Sequence, residues 1–276
     1  MTQSWRRDIV VIGGSAGALG ALRELLNLLP LELPATIFIT LHIPYEYPSI
    51  LPELLTRNGR IVQHPSENQE FRPGQVFVAP PDHHLIIDRS RVRLGRGPRE
   101  NRHRPAIDVM FRSAARSHGP RVAGVVLSGQ MDDGSAGLMA VKAAGGLAIV
   151  QDPNEALAPE MPSRAIQYAQ PQCILPIERI AQKVRSLSSE ELPLPVKPKN
   201  ARPESVGSRK MEFEEALRVP SGFACPECHG VLWEIDEGKM ERYRCRVGHA
   251  YTADSLRAAL SETAEATLWA ALRVRS

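Results

Sequence analysis

Along the first two-thirds of the chain, apolar residues fall into two alternating kinds of run. Short β-rich stretches, nearly continuous in apolar residues, occupy Asp8–Gly13 (DIVVIG), Ala35–Leu41 (ATIFITL), Gly74–Ala79 (GQVFVA), Val122–Ser128 (VAGVVLS) and Leu147–Gln151, with a shorter one at Gln172–Pro176. Strands of this kind suit a sheet that is covered on both faces. Helical patterns lie between them. Leu19, Leu22, Leu25, Leu26 and Leu29 recur at helical spacing and stop at Pro30. Further helices are expected at Ile50–Arg57, Ala106–Ser117, Gly134–Ala144 and Pro162–Ala169, and Gly145-Gly146 marks a helix C-terminus. Leu85–Asp88 and Val92–Leu94 read as a hairpin. Strands alternating with helices predict an α/β domain over residues 1–187, built on a doubly wound, mostly parallel sheet.

The pattern changes at Ser188. Residues 188–220 carry prolines and charges with little periodicity, and read as a linker. Residues 221–276 hold a compact Cys/His segment followed by an amphipathic helix, Ala253–Arg273, with Leu256, Leu260, Ala264 and Leu268 along one face. The chain stops inside that pattern, as a truncated helix or one continuing into partner contacts would. No internal repeat is visible.

Composition narrows the class. The chain has 276 residues, 43% of them hydrophobic, and a net charge of +3. It can bury a substantial core, and its basic balance is too weak to argue for nucleic acid. No apolar run approaches the roughly 18 residues that span a bilayer, and the N-terminus lacks the apolar segment of a secretory signal. A cytoplasmic protein without membrane insertion is expected. Of the four cysteines, Cys225, Cys228 and Cys245 cluster with a histidine, which in a cytoplasmic chain favours metal over disulfide. Cys173 stands alone and reads as a buried core residue.

Three features carry candidate chemistry. Gly13-Gly14-Ser15-Ala16-Gly17 is a G-x-S-x-G turn between the first strand and the first helix. Its glycines let the backbone turn sharply and push the serine hydroxyl outward, next to free helix N–H groups. A nucleotide-binding turn is the alternative. Ser15 replaces the second glycine of that fingerprint, and the second strand ends at His42 rather than at an acid. His42 follows Ala35–Leu41 directly, where a histidine can be a general base or a loop-packing residue. Asp132 and Asp133 follow Val122–Ser128, where one carboxylate could orient a histidine or cap a helix. Each feature follows a different strand of one parallel sheet, so the three should meet at one edge. The order Ser, His, Asp differs from that of α/β-hydrolases, but triads are defined by geometry and role.

At these residues the chain resembles the catalytic domain of chemotaxis protein-glutamate methylesterases, the CheB family. The likeness covers about residues 8–186. It rests on IGGSAGALGAL (Ile12–Leu22), TLHIP (Thr40–Pro44), VFVAPPDHHLII (Val76–Ile87), NRHRPAIDVMFRSAA (Asn101–Ala115), VVLSGQMDDGSAGLMAVKAAGG (Val125–Gly146) and QDPNEALAPEMPSRAI (Gln151–Ile166). The resemblance implies a nucleophile at Ser15, a base at His42, an orienting acid at Asp133, and oxyanion donors in the backbone N–H groups of Ala16 and Gln130. No catalytic cofactor is implied. Gln130 stands where the family often has Met, and Ala18 where a second glycine is common. Arg102-His103-Arg104 match a family motif with an expected structural or substrate-facing role. His83 and His84 match a family loop and are expected to be solvated or packed. The implied substrate is a methylated glutamate on chemoreceptor cytoplasmic helices or an analogous signalling protein. Regulated family members carry a receiver ahead of the esterase; here the first strand begins near residue 8, so no receiver control is expected, and glutamine deamidation is left open.

Cys225-x-x-Cys228 and Cys245-x-x-x-His249 form two ligand pairs in a short, loop-rich segment, the pattern of a zinc-ribbon-like module with structural Zn²⁺. His229 is the competing fourth ligand. Lys239, Arg242, Arg244 and Arg246 read as a solvated basic face. The alternatives to an esterase are a regulatory or binding module on the same fold, a hydrolase of another ester or amide, a nucleotide-binding oxidoreductase, and a nucleic-acid regulator acting through the Cys/His segment.

Overall fold

The computed structural model describes residues 6–43, 48–187, 219–237 and 240–273. The chain separates into two compact units, divided between Pro193 and Leu194. Pro44, Lys239 and nearly all of the expected linker lie outside the described residues.

The first unit is the expected α/β domain. Its strands are β1 (Ile9–Gly14), β2 (Thr36–Leu41), β3 (Val62–Gln63), β4 (Gln69–Glu70), β5 (Val76–Val78), β6 (His84–Asp88), β7 (Arg91–Gly95), β8 (Val122–Val126), β9 (Leu147–Gln151) and β10 (Cys173–Leu175). Its helices are α1 (Ala18–Leu28), α2 (Leu51–Leu55), α3 (Ile107–His118), α4 (Ser135–Ala143), α5 (Glu160–Ala169) and α6 (Ile177–Leu187). Seven strands form one parallel sheet in the order β10-β9-β8-β1-β2-β5-β3. The hairpin β6–β7 and the short β4 make a separate antiparallel sheet, ordered β4-β7-β6.

Alternate residues of the central strands enter two cores. Val10 and Ile12 of β1, Ile37 and Ile39 of β2, and Val125 of β8 pack with Leu22, Leu25 and Leu26 of α1 on one face. Ile9, Val11, Phe38, Val122 and Val126 pack with Ile107, Met110 and Phe111 of α3 on the other. Fully burying one such side chain contributes about 1.5–3 kcal/mol, which is why both faces read as apolar in every central strand. The chain runs outward from β1 through β2 to β5, then returns beside β1 at β8 and runs the other way. The strand order reverses at β1 and β8, so a crevice opens beyond their C-terminal ends.

Two elements differ from expectation. Helix α6 has no counterpart among the predicted elements, although Ile177, Ile180, Ala181, Val184 and Leu187 are all buried at helical spacing. Cys173 is half-buried at the outermost strand and only flanks the core, because β10 is a sheet edge with one neighbour.

The second unit is a four-stranded antiparallel sheet, β11 (Pro220–Ala224), β12 (Val231–Glu237), β13 (Met240–Cys245) and β14 (Ala250–Thr252), followed by α7 (Ala253–Arg273). Its small core joins Leu232, Tyr243 and Tyr251 to Cys225, Cys245, Leu256 and Ala259. Only the first turns of α7 contribute. Leu268, expected on the apolar face, is 66% exposed. Among the described residues no helix is long and apolar enough to cross a membrane.

Candidate active site and candidate metal centre

The turn after β1 takes the conformation its glycines allow. Gly17 has φ 77°, a left-handed conformation that starts α1 without a side-chain cap. Ser15 follows Gly14, and His42 follows Leu41, the register partner of Gly14 in β2. The His42 amide donates to the Gly14 carbonyl at 3.3 Å, and the Ser15 amide donates to Ser128 at 2.9 Å. The ends of β1, β2 and β8 are thus laced together at one rim. Ser128 extends the lacing: its hydroxyl donates to the Ala16 carbonyl at 2.8 Å and accepts from the Ala158 amide at 2.9 Å.

Asp133 reaches the same rim from the loop after β8. His42 Nε2 lies 2.7 Å from Asp133 Oδ2, with the two side chains 6% and 2% exposed. Of the two candidate carboxylates, Asp133 is the one that meets the histidine. Four further donors converge on it: the Ile107 amide at 2.7 Å, Asn101 Nδ2 at 3.0 Å, the Asp108 amide at 3.2 Å and the Gly134 amide at 3.0 Å. Burial pushes the Asp133 carboxyl up, but the His42 hydrogen bond, the His42 and His103 charges and the Asn101 amide outweigh it. The carboxyl is held well below the ordinary range. It is an anion at neutral pH, and His42 Nε2 is its proton donor.

That leaves His42 Nδ1 as the ring's acceptor. It is buried and has no hydrogen-bond partner among the described residues. No hydrogen bond joins Ser15 to His42 among those residues, although the register sets them on adjacent strand ends. Neighbouring strands are about 4.8 Å apart, and catalytic hydrogen bonds often close only around substrate. Gly129 is shaped by the same crowding: a Cβ there would lie 3.0 Å from Ser15 Cβ and 2.7 Å from Met161 Sδ. The Gly129 amide is taken by the Ala158 carbonyl at 2.9 Å, while the amides of Ala16 and Gln130 donate to no carbonyl among the described residues. Ala16 and Gln130 are both exposed at the rim.

Three residues beside this pair brace it in ways the sequence did not show. Asn101 bridges Asp133 and Asp108. Asp108, 0% exposed, accepts the amides of Gly134 and Gly137 at 3.0 and 2.6 Å and so anchors the start of α4. His84 begins β6 and is buried, not in a loop. It accepts the Ala106 amide at Nδ1 and donates Nε2–H to Pro98, pinning the 98–106 segment; burial holds its pKa down. An Asp inside N-R-H-R-P-A-I-D was visible in the sequence, but its burial was not. His103, from the Arg102-His103-Arg104 motif, stacks on His42 with ring centroids 3.5 Å apart. Arg104 is engaged elsewhere, on Asp82. His83 lies between the Pro81 carbonyl and Arg96.

In the second unit, Cys225, Cys228, Cys245 and His249 place their ligand atoms within 4.8 Å of one another. Cys228 and Cys245 sulfurs are 3.6 Å apart, and His249 Nδ1 is 3.6 and 3.5 Å from those of Cys225 and Cys245. Zn–S bonds of about 2.3 Å in a tetrahedron give ligand–ligand edges of about 3.8 Å, so the group fits one such ion. His249 Nε2 lies 3.2 Å from Glu227, which also accepts from Tyr251 at 3.2 Å. A carboxylate on the far ring nitrogen is the usual support of a metal-bound histidine. His229 is not part of the group; its amide is turned to the Cys225 carbonyl, at positive φ.

Comparison with known proteins agrees with the first unit. A family profile described as CheB methylesterase matches residues 10–184. The chain is 36% identical over 187 residues to a Xanthomonas campestris protein named protein-glutamate methylesterase/protein-glutamine glutaminase 1, covering 66% of this chain and 52% of that one. It is 38% identical over 178 residues to a Pseudomonas aeruginosa protein named protein-glutamate methylesterase/protein-glutamine glutaminase 2, covering 63% and 51%. The crystal structure of the Thermotoga maritima CheB methylesterase catalytic domain superposes with a TM-score of 0.62 at 30% identity, covering 67% of this chain and 99% of that one. The chain spans about half the length of the curated relatives it matches.

Proposed function

This chain belongs to the CheB methylesterase family, and from that premise we propose that it is a serine hydrolase acting on glutamyl methyl esters of a signalling protein. The observation that carries the reading is the buried His42–Asp133 pair with His42 Nδ1 left unpartnered, one strand from Ser15. In this reading Ser15 Oγ attacks the ester carbonyl and His42 Nδ1 takes its proton. Asp133, on Nε2, fixes the tautomer and balances the imidazolium. The amides of Ala16 and Gln130 hold the oxyanion, each worth about 3–4 kcal/mol in the transition state. The tetrahedral intermediate collapses, and His42 returns the proton to the departing methoxide, releasing methanol. Water, deprotonated by His42, then cleaves the acyl-serine to free glutamate and serine.

The substrate class is methylated glutamate on the cytoplasmic helices of chemoreceptors or an analogous protein, which places the reaction in the cytoplasm, with neither nucleic acid nor membrane insertion required. The names of the relatives support this class. Residues 1–187 would form the catalytic domain, 188–220 a linker, and 221–276 a module whose Cys225, Cys228, Cys245 and His249 hold a structural Zn²⁺. The donor set is closed by four protein ligands, so that ion would support the fold of its module.

The test is methanol release from methylated receptor membranes. Wild type is expected to release methanol and to label with a fluorophosphonate at Ser15. Ser15→Ala should do neither, and His42→Ala should label slowly. Methanol release that survives Ser15→Ala would overturn the mechanism.

A further inference from the structure

His103 lies flat on His42, with ring centroids 3.5 Å apart and planes only 11° from parallel. It comes from a segment that also reaches the other member of the pair, since Asn101, two residues earlier, hydrogen-bonds Asp133 at 3.0 Å. Asn101 and Arg102 both adopt positive φ, 50° and 72°, and this turn delivers side chains 101 and 103 to the same buried pair. The segment is itself fixed from below, because His84 holds Pro98 and Ala106. One braced loop thus grips both Asp133 and His42.

We propose that His103 is a positioning residue for the reaction: its uncharged ring covers one face of His42 and keeps Nε2 on Asp133 and Nδ1 turned toward the serine turn. This rests on the reading of His42 as the general base. The two nitrogens of the His42 ring must do different work, Nε2 donating to Asp133 and Nδ1 accepting a proton, and a 180° turn about Cβ–Cγ would put ring carbons in both places. A flat neighbour at van der Waals distance restricts tilting and keeps water from that face. His103 is suited to this because it does not itself ionise at neutral pH. Burial lowers its pKa most; the His42, Arg102 and Arg99 charges lower it further, against Asp133, to about 3. A charged ring in the same place would repel the imidazolium that forms on His42 during turnover. His103 touches neither Asp133 nor Ser15 by any hydrogen bond described, so it would act through His42 alone.

The test compares His103→Phe, His103→Leu and His103→Ala with wild type in methanol release from methylated receptor membranes and in the second-order rate of fluorophosphonate labelling. Thermal melts accompany both. The expected result is a kcat lower by ten- to a hundredfold in His103→Leu and His103→Ala, with KM within about twofold and labelling slowed in parallel. His103→Phe, which keeps a flat uncharged ring, should recover kcat to within about threefold of wild type. Folded Leu or Ala variants with wild-type kcat would overturn the proposal, and so would a folded Phe variant as slow as His103→Leu. Should His103→Ala not fold, the Phe and Leu pair decides. Ser15→Ala and His42→Ala run alongside: if they keep full activity, the assignment of the base fails, whatever His103 does.

Discussion

Asn101 donates to Asp133 Oδ1 and Asp108 Oδ2, each at 3.0 Å, so one side-chain amide holds together two buried carboxylates that lie 25 residues apart in sequence. Like charges placed this close need shared donors, and this network supplies them from Asn101, from the starts of α3 and α4, and from Arg112, which pairs with Asp108 at 3.8 Å and with Glu100.

Replacing Asn101 with Asp should therefore be severe. The variant loses a donor and faces a third carboxyl toward two buried ones. Stability should fall by about 3 kcal/mol or more, read by urea denaturation at pH 7, whereas Asn101→Ala should cost about 1–3 kcal/mol. Equal stability of Asn101→Asp and wild type would mean the network does not carry this load.

Asp133→Asn keeps the shape but cannot hold the His42 tautomer or balance its charge. A kcat lower by about 10⁴-fold is expected, by analogy with the same change in other triads. The native carboxyl is held below its unfolded value of about 3.9. Its contribution to stability is thus complete above that pH and fades as pH falls through the acid range. Acid titration of stability in wild type and Asp133→Asn should show the two curves a constant distance apart above about pH 4 and converging as the pH falls below it.

His118 gives a pH dependence of the same sign in a higher window. Burial, then Arg121, against Asp8, lower its pKa to about 4, from about 6.5 when unfolded. Between these values the unfolded chain binds the extra proton. Stability is complete above about pH 6.5 and declines as pH drops toward 4. His118→Phe, packed on Phe71 as His118 is, should flatten that slope. Urea midpoints measured at pH 7 and pH 4.5 would show the change, and an unaltered slope would assign it elsewhere. His103 acts in the same sense down to about pH 3.

Gly129→Ala should separate activity from folding. The added Cβ would meet Met161 Sδ at 2.7 Å and Ser15 Cβ at 3.0 Å. The thioether is flexible and can yield, but Ser15 is held by the hydrogen bond that its amide donates to the Ser128 carbonyl. A kcat at least about tenfold lower is expected, since small displacements of reacting groups are costly, with a melting temperature lowered by only a few degrees. Melts and methanol release on one preparation would check both.

Metal removal should act on the second unit. One zinc per chain is expected by elemental analysis of protein prepared without chelator. Stripping it should expose Cys225, Cys228 and Cys245 to thiol reagents and abolish amide protection in β11–β14, because so small a core depends on its ion. Glu227→Ala should weaken zinc retention against a competing chelator by about 10–100-fold. Full amide protection in metal-free protein would contradict the assignment.

The first unit was largely legible because its chemistry and its fold use the same local signals. The apolar runs at Asp8–Gly13, Ala35–Leu41 and Val122–Ser128 became β1, β2 and β8, the neighbours whose ends form the rim. The turn glycines around Ser15 announced a sharp strand-to-helix connection, and in the second unit the spacing from Cys225 to His249 announced a cluster of four ligand-type side chains. Helix α6 carries the same kind of signal in the helical spacing of Ile177, Ile180, Ala181, Val184 and Leu187. The short strands β3 and β4 leave too brief a pattern to be read.

By itself, the sequence determined which segments are strands, that they are buried on both faces, and which residue types stand at their ends, because burial and turn geometry act over a few neighbouring residues. The resemblance pointed to Asp133, but only the tertiary structure decided that it meets His42 through Nε2 and that His103 lies on the ring. Those facts depend on how residues about 60 to 90 positions apart share one crowded space, where distances, tautomers and competing donors are settled by neighbours the chain brings together only when folded.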